Sequence, residues 1–497
     1  MICVNLRTGR APSLTSTADD CRPAGIPTTR GEPACEASAG DGVTLHRIRK
    51  GLDLPISGDP AQVVAEARAV ARVALLAADY VGLKPAIRVQ PGDRVLRGQP
   101  VIDDKRQPGV RLTAPASGTI AAVHRGEKRA LHSVVIDVDP ADGPGMQTRF
   151  ETFTGRDPAS LTQEDVRALL LESGLWAAFR TRPFSRIPPP DGAPQALFVT
   201  AIDTRPHAPS PEVALAGREA DFRAGLACIQ TLCDGPTHLC TAPGSPLVAS
   251  ATGRVQLQEF AGPHPAGTAG VHIHLLHPVD LHRTVWHLGY QDVAAIGRLF
   301  RTGELDVERV ISLAGPSVAR PRLVRARLGA STEELSSGEL REGEHRIVSG
   351  SVLDGRTAQG DALGYLGRYH LQVSALREGR ERELLGWLAP GADKFSVTGS
   401  VLGAFLRRRK FGFTTTTNGS PRAMVPIGTY ERVMPMDLLP TFLFRALITG
   451  DVQRAEALGA LELDEEDVAL STYVCPGKFE YGPLLRRALD QIAKDAS

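Results

Sequence analysis

The sequence predicts a multidomain α/β protein, and three observations carry that expectation. The chain has 497 residues; at roughly 150 residues per domain, that length suits about three domains rather than one core. Residues 84 to 138 repeat short alternating strands separated by proline and glycine turns. From about 150 to 300, buried-strand patterns alternate with helical ones, the order of an open α/β layer.

Taken in order, residues 1–42 are rich in Ser, Thr, Pro, Ala and Gly, and they lack the apolar core of a secretory signal. They are expected to be a disordered head, or sequence ahead of the true start. Residues 43–145 form the first unit. In it, "VQPGDRVLRGQPVIDD" alternates Val89, Val95 and Val101 with turns at Pro91-Gly92-Asp93 and Arg97-Gly98. "VRLTAPASGTIAAVHRGEKR" repeats the style. Paired halves of the forms GDxVxxGQ and APxSGxI resemble the barrel-sandwich hybrid of biotinyl and lipoyl domains. Lys105 lies between the halves, where carrier domains hold their modified lysine. Its setting "IDDKRQPGV" lacks the apolar and Met flanks of those carriers, so it reads as a solvated hairpin lysine.

Residues 146–304 form a Rossmann-like α/β unit. A helix is predicted over 162–173, capped by Thr162, with Glu164 and Asp165 in its first turn and Gly174 ending it. "ALFVTAID" reads as a buried parallel strand, "PEVALAGREADFRAGLACIQTL" as helix, and "THLCTA" and "RVQLQEF" as further strands. Residues 305–388 return to short strands of β-grasp (SLBB-like) character. Residues 389–497 are read as helical, through "PMDLLPTFLFRALITG" and "YGPLLRRALDQIAK".

Composition excludes several function classes. Lys+Arg (57) and Asp+Glu (56) nearly cancel, so no global field draws nucleic acid or an anionic membrane. No run reaches the ~18–20 apolar residues of a membrane-spanning helix, and the nearest, "ARVALLAADYVGL", is broken by Arg72 and Asp79. The seven cysteines form no Cys-x-x-Cys pair and suit a reducing cytoplasm. Cys228, Cys233 and Cys240 match no zinc or iron–sulfur spacing.

Few residues suggest chemistry. His264, His272, His274, His277, His282 and His287 crowd one segment, and in "GVHIHLLHP" His272 and His274 share one face of an expected strand. Such a pair binds metal only with a third ligand, and Glu259 and Asp280 are the only nearby carboxylates; a polar domain interface is the reading adopted, with no metal. "FAGPHPAGTAG" (260–270) is a shaped loop without a phosphate-binding lysine or Gly-x-Gly-x-x-Gly. "RRRK" (407–410) is a basic run beside aromatics expected to be exposed, a surface for a partner or lipid headgroups. Serine elbows, zincin helices and paired catalytic carboxylates are absent, so no catalytic residue is assigned.

The blocks "RKGLDLPISGDPAQ", "VALLAADYVGLKP", "RLTAPASGTIAAVHRGEKR", "LFVTAIDTRP", "FAGPHPAGTAGVHIHLLHPV", "GYLGRYHLQVSAL" and "YVCPGKFEYGPLLR" resemble, in order, the A subunit of the bacterial Na+-translocating NADH:quinone reductase. The resemblance runs from about residue 43 to the C-terminus. It implies kinship with the Rnf C subunit and, more distantly, with the nucleotide-binding flavoprotein subunit of complex I. In those relatives a GRGGAGFP-type loop cradles flavin and nucleotide phosphates. Here the corresponding place, after Gly174, reads Trp176-Ala177-Ala178-Phe179-Arg180, a degenerate loop whose glycines have become side chains. Cys475 stands alone, and one thiolate cannot hold a cluster.

The resemblance therefore implies a peripheral subunit with no cofactor of its own. It would sit on the cytoplasmic face of the inner membrane and dock chiefly on the membrane-embedded B subunit, one of five others. Those carry FAD, FMN, riboflavin and an iron–sulfur centre, and ubiquinone is the complex's substrate. Phe260, His264, His272 and Phe411 are the candidate quinone or partner contacts. The alternatives are an independent soluble flavin/NADH oxidoreductase on a complex-I-like fold, or an Rnf-type electron-transfer subunit.

Overall fold

The computed structural model describes residues 35–40, 43–66, 68–143, 145–380, 390–406 and 409–496. Most of the expected head, residues 1–34, lies outside the described residues. Its end is sheet: β1 (Cys35–Gly40) pairs antiparallel with β2 (Val43–Ile48). β3 (Ala61–Ala65) follows. Then β4 (Arg72–Leu76), β5 (Pro85–Ile87), β6 (Arg94–Val95), β7 (Pro100–Asp104), β8 (Arg111–Thr113), β9 (Gly118–Arg125) and β10 (Leu131–Val138) make two small sheets, ordered β4-β10-β9-β6 and β5-β7-β8. Val101, Leu112, Ile120 and Ile136 are buried in their common core. Lys105 is exposed in the turn after β7.

The α/β layer comprises α1 (Gln163–Ser173), β11 (Arg180–Arg182), β12 (Leu197–Ala201), α2 (Pro211–Ala214), α3 (Glu219–Ile229), β13 (Thr237–Thr241), β14 (Val255–Ala261), α4 (Ala269–Leu276), β15 (Val285–Gly289) and α5 (Tyr290–Thr302). Its sheet runs β1-β2-β14-β13-β12-β15-β11, parallel from β2 to β15 and antiparallel at both edges. β12 is apolar on both faces because both are covered. Leu197 and Val199 join the core that holds Phe222 and Leu226 of α3 and Ile296 of α5, whereas Phe198 joins Phe260 and Ile273 of α4. α3 and α5 cross at Gly225 and Gly297, where a Cβ on Gly297 would lie 1.7 Å from the Asp221 carbonyl oxygen. Only glycine admits that approach. The single helix expected from 211 is two, split around Gly217, whose φ is +77°.

A third sheet contains β16 (Glu308–Ala314), β17 (Arg322–Arg327), β18 (His345–Ser349), β19 (Arg356–Thr357) and β20 (Gln372–Arg377), with short helices α6 (Thr332–Ser336) and α7 (Gly360–Leu363) between strands. Its order is β19-β18-β20-β16-β17-β3. Residues 43–65, at the start of the first unit, pair outside its two small sheets. β2 completes the α/β sheet beside β14, and β3 closes the third sheet beside β17. Open edges carry unpaired N–H and C=O groups, and this leading segment covers two of them.

Residues 390–406 and 409–428 are turns and extended chain with one 3-10 turn, Leu402–Phe405. This corrects the expectation of helix from about 389; the stretch is rich in Ser, Thr and Gly, which favour local turns. The expected boundary itself falls at residues 381–389, outside the described residues. Helices begin with α8 (Thr429–Val433) and continue as α9 (Pro440–Thr449), α10 (Val452–Ala457), α11 (Glu465–Val474) and α12 (Tyr481–Asp495) around Tyr430, Phe444, Tyr481 and Leu485.

Candidate functional site

α1 ends as the sequence predicts. Thr162 caps it in a capping box with Asp165, and Gly174 takes the left-handed C-cap conformation at φ +79°. Beyond Gly174 the chain closes on itself. Leu175–Ala178 is a buried 3-10 turn, and Trp176 and Phe179 are both 0% exposed. Their rings lie 5.6 Å apart, and Trp286 of β15 packs at 5.4 Å from the first and 5.8 Å from the second. Trp176 Nε1 donates to the Pro188 carbonyl at 2.9 Å. The loop's amides are taken as well: Ala177 N–H bonds Gly174 O and Phe179 N–H bonds Trp176 O. A phosphate would meet no space here, and the Ala177 and Phe179 amides would not be free to bind it.

The second half of the stretch carries the arginines. Arg180 stacks over Tyr369 at 4.7 Å, and its Nη1 lies 3.9 Å from Asp464 Oδ2. Arg182, 0% exposed, donates to Asp467 Oδ2 at 2.7 Å and Glu466 Oε1 at 2.9 Å. Arg205 joins through Glu466 and Asp354, and Arg486 through Asp464 and Glu465. The anion that these arginines hold is thus protein: the acidic N-terminus of α11, where carboxylates also suit the helix dipole. Burial and neighbouring Asp464 push Glu465 up to about 7, and burial pushes Asp467 up to about 6.

The histidine expectation is corrected. The segment with His272 and His274 is helix α4, not a strand, so positions two apart point away from each other. His272 Nε2 donates to Ala266 O at 3.0 Å, and the ring packs 4.1 Å from Phe260, which stacks on His46 at 4.8 Å. His274 Nδ1 instead donates to Glu462 at 2.7 Å, while its Nε2 accepts from Asp437 N–H. Among the described residues no three His, Cys, Asp or Glu side chains are grouped to hold a metal.

The candidate quinone contacts are interior. Phe260 and His272 are fully buried. His264 is buried too, with its N–H on Asp53 and its ring on Thr204. Burial pushes His264 down to about 4 and His272 to about 3. Phe411 lies elsewhere, its backbone paired with Pro55 and Ser57, and it is buried rather than exposed.

A pocket opens where sequence reasoning did not look, between the small sheets, the end of α1 and the third sheet. Its enclosed volume is about 50 Å³, within about 580 Å³ of empty space that includes open solvent at its mouth. Leu76, Leu112, Leu175 and Val307 wall it, and Tyr80, Asp79 and Arg368 add polar groups. Asp79 accepts from Arg368 N–H at 2.7 Å. The Arg368 guanidinium lies 2.9 Å from Asp292 Oδ1, and its Nη1 is buried without a hydrogen-bond partner among the described residues. Burial pushes the Tyr80 phenol up, so it remains a hydroxyl donor. Tyr80 and Arg368 stand in two of the family-like blocks, "VALLAADYVGLKP" and "GYLGRYHLQVSAL", which was the only signal for them in the sequence.

The fold and the site define a class: a multidomain α/β protein in which the turn after α1 is packed shut by Trp176 and Phe179, beside an interdomain pocket. Family models match in three places: the NqrA N-terminal barrel-sandwich hybrid domain at 46–139, the NqrA second alpha/beta domain at 161–305 and the NQRA C-terminal domain at 310–360. Curated relatives include the A subunit of the Na(+)-translocating NADH-quinone reductase from Serratia proteamaculans, 54% identical over 91% of this chain and 100% of that one, and from Neisseria gonorrhoeae, 52% identical over the same shares. The chain belongs to the family of A subunits of the Na(+)-translocating NADH-quinone reductase. Among solved structures, an air-oxidized NAD+-reducing [NiFe]-hydrogenase aligns over 69% of this chain and 65% of that one, at 14% identity and a TM-score of 0.37.

Proposed function

We propose that the chain is the peripheral, cofactor-free subunit of a Na+-pumping NADH:ubiquinone reductase, supporting the quinone-reducing step of a complex that couples NADH oxidation to Na+ export. It docks on the membrane-embedded B subunit at the cytoplasmic face of the inner membrane. FAD, FMN, riboflavin and the iron–sulfur centre belong to the other subunits. The finer fold reading belongs with this: Rossmann-like for the parallel sheet, β-grasp for the third sheet and helical for the C-terminal unit. No described helix is long and apolar enough to cross a membrane, which agrees with a peripheral place.

The filled loop carries the proposal. Trp176 and Phe179 occupy the space a flavin or nicotinamide nucleotide needs, and the Ala177 and Phe179 amides are bonded within the loop. Quinone contact fits the interdomain pocket better than Phe260, His264, His272 or Phe411. Its walls combine apolar side chains with polar ones, and Arg368 Nη1 and the Tyr80 hydroxyl are donors suited to a quinone carbonyl.

Three measurements test the two halves separately. The purified chain should lack flavin absorbance; stoichiometric bound flavin would favour the independent oxidoreductase. In the assembled complex, a photoreactive quinone analogue should label peptides containing Tyr80 or Arg368, and labelling confined to the membrane subunits removes the quinone role. Arg368→Gln should raise the quinone KM with little change in NADH oxidation by the other subunits.

A further inference from the structure

The described end of the basic run, Arg409 and Lys410, has a structural context that the quinone reading leaves unused. The 3-10 turn Leu402–Phe405 presents Leu402 at 55%, Phe405 at 72% and Leu406 at 43% exposure. Among the described residues no large hydrophobic is more exposed than Phe405. The turn is held, not frayed. Leu402 N–H bonds Pro390 O at 2.9 Å, Gly403 N–H bonds Gly391 O at 3.1 Å, and Arg409 Nη1 bonds Ala392 O at 3.1 Å. Gly403 passes so close to the neighbouring chain that a Cβ would lie 2.0 Å from Lys394 O.

Phe411 anchors the root of this projection. Its N–H bonds Pro55 O at 2.7 Å, its carbonyl accepts from Ser57 N–H at 2.9 Å, and its ring packs 6.0 Å from Phe395. Local charge sets the segment apart from the rest of the molecule. Residues 390–411 carry Lys394, Arg407, Arg408, Arg409 and Lys410 against Asp393 alone, in a chain whose charges otherwise balance. Arg409 lies over the Phe411 ring at 5.7 Å, and Lys410 pairs with Asp59 while remaining half exposed.

We propose that the turn around Phe405 is a membrane-surface anchor that inserts Leu402, Phe405 and Leu406 into an anionic bilayer while Arg409 and Lys410 engage phosphate headgroups. This rests on the placement at a membrane face proposed above. Charge complementarity selects the occupant. A protein partner covering the apolar tip would also bury the adjacent cations and would need matched carboxylates. A bilayer accepts the apolar side chains at the acyl boundary and leaves the cations at the headgroups, where each attracts anionic lipid.

The test is sedimentation of the full-length chain with vesicles of phosphatidylglycerol and phosphatidylethanolamine, against vesicles of phosphatidylcholine alone. The chain should sediment with the anionic vesicles, weakly with the neutral ones, and less at high salt. Phe405→Ser with Leu406→Ser should weaken partitioning roughly tenfold or more; Arg409→Gln with Lys410→Gln should weaken it roughly threefold to tenfold. Unchanged thermal melts verify that the variants fold. No sedimentation of the native chain, equal sedimentation with both vesicle types, or an unaffected Phe405→Ser, Leu406→Ser variant overturns the anchor. If that variant sediments normally yet fails to co-purify with the membrane subunits, the turn is a protein-docking surface and the proposal is wrong. Failure of the native chain itself to co-purify would break the complex-membership reading instead.

Discussion

Leu175–Phe179 and Arg180–Arg186 are consecutive parts of one segment, yet they close their surroundings by opposite chemistry. The first is packed by aromatic rings against Trp286. The second is packed by guanidinium groups against the carboxylates of α11. Apolar filling gains from every buried surface it makes. Charged filling must first overcome desolvation, so it holds only while each group keeps its partner. A buried segment can therefore be held in place either way. The ionic half joins the α/β layer to the C-terminal helices through Arg182 and the carboxylates of α11.

The largest effect should come from breaking the aromatic half. Trp176→Gly with Phe179→Gly removes two fully buried rings at ~3–5 kcal/mol each, comparable to the ~5–15 kcal/mol stability of a whole domain. Urea denaturation should show a lost or broadened transition. The space opened should confer no NADH affinity in a fluorescence titration, because the remaining cradle lacks its glycines; measurable NADH binding would refute the filled-site reading.

Breaking the ionic half should rank next. Arg182→Met leaves Asp467 and Glu466 short of their buried partner, a cost of ~3–5 kcal/mol. Replacing both ends, Arg182→Met with Asp467→Leu, should recover part of that loss in the same denaturation assay. No recovery would mean that packing rather than pairing dominates at Arg182.

Acidification should separate the two halves further. Burial depresses His238 to about 4, His264 to about 4, His272 to about 3 and His370 to about 4, and pushes His287 down as well. Each is neutral in the fold, whereas the unfolded chain binds its protons near pH 6.5. Stability from these groups is therefore complete above about 6.5 and falls as pH drops toward 4 and 3. Glu465 and Asp467, pushed up, act in the opposite sense over part of that window, but the histidines outnumber them. The melting temperature should fall between pH 7 and pH 5, and a flat profile would contradict the buried neutral histidines.

The smallest effect should come at the hinge between α1 and the loop. Gly174→Ala must hold φ near +79° with a Cβ 2.6 Å from Thr113 Oγ1, so a loss of ~1–2 kcal/mol is expected. A neutral substitution would show that the turn relaxes.

Much of this was legible in the chain. The cap and stop of α1, the buried strand β12 and the paired turns of the small sheets follow from local rules of capping, apolar continuity and turn chemistry. His272 and His274 show where local reading fails. Alternating Val, Ile and His suggests a strand, but the connection from β14 back over the sheet requires a covering helix, and burial of Val271 and Ile273 overrides the local pattern. Phe411 fails for the same reason, since its neighbours are exposed while its own ring is tucked against distant chain.

By itself, the sequence determined that this chain is a multidomain α/β protein of this family, and that the turn after Gly174 carries the bulky side chains Trp176 and Phe179. Those properties reside in residue type and short-range spacing. Only the tertiary structure decided that the arginines of the same stretch face α11, that residues 43–65 close two distant sheets, and that Tyr80 and Arg368 meet at one pocket. Each depends on which far-apart segments come together, with Arg182 and Asp467 285 positions apart. No local periodicity encodes such a meeting, because it is selected by the burial and charge pairing of the whole fold.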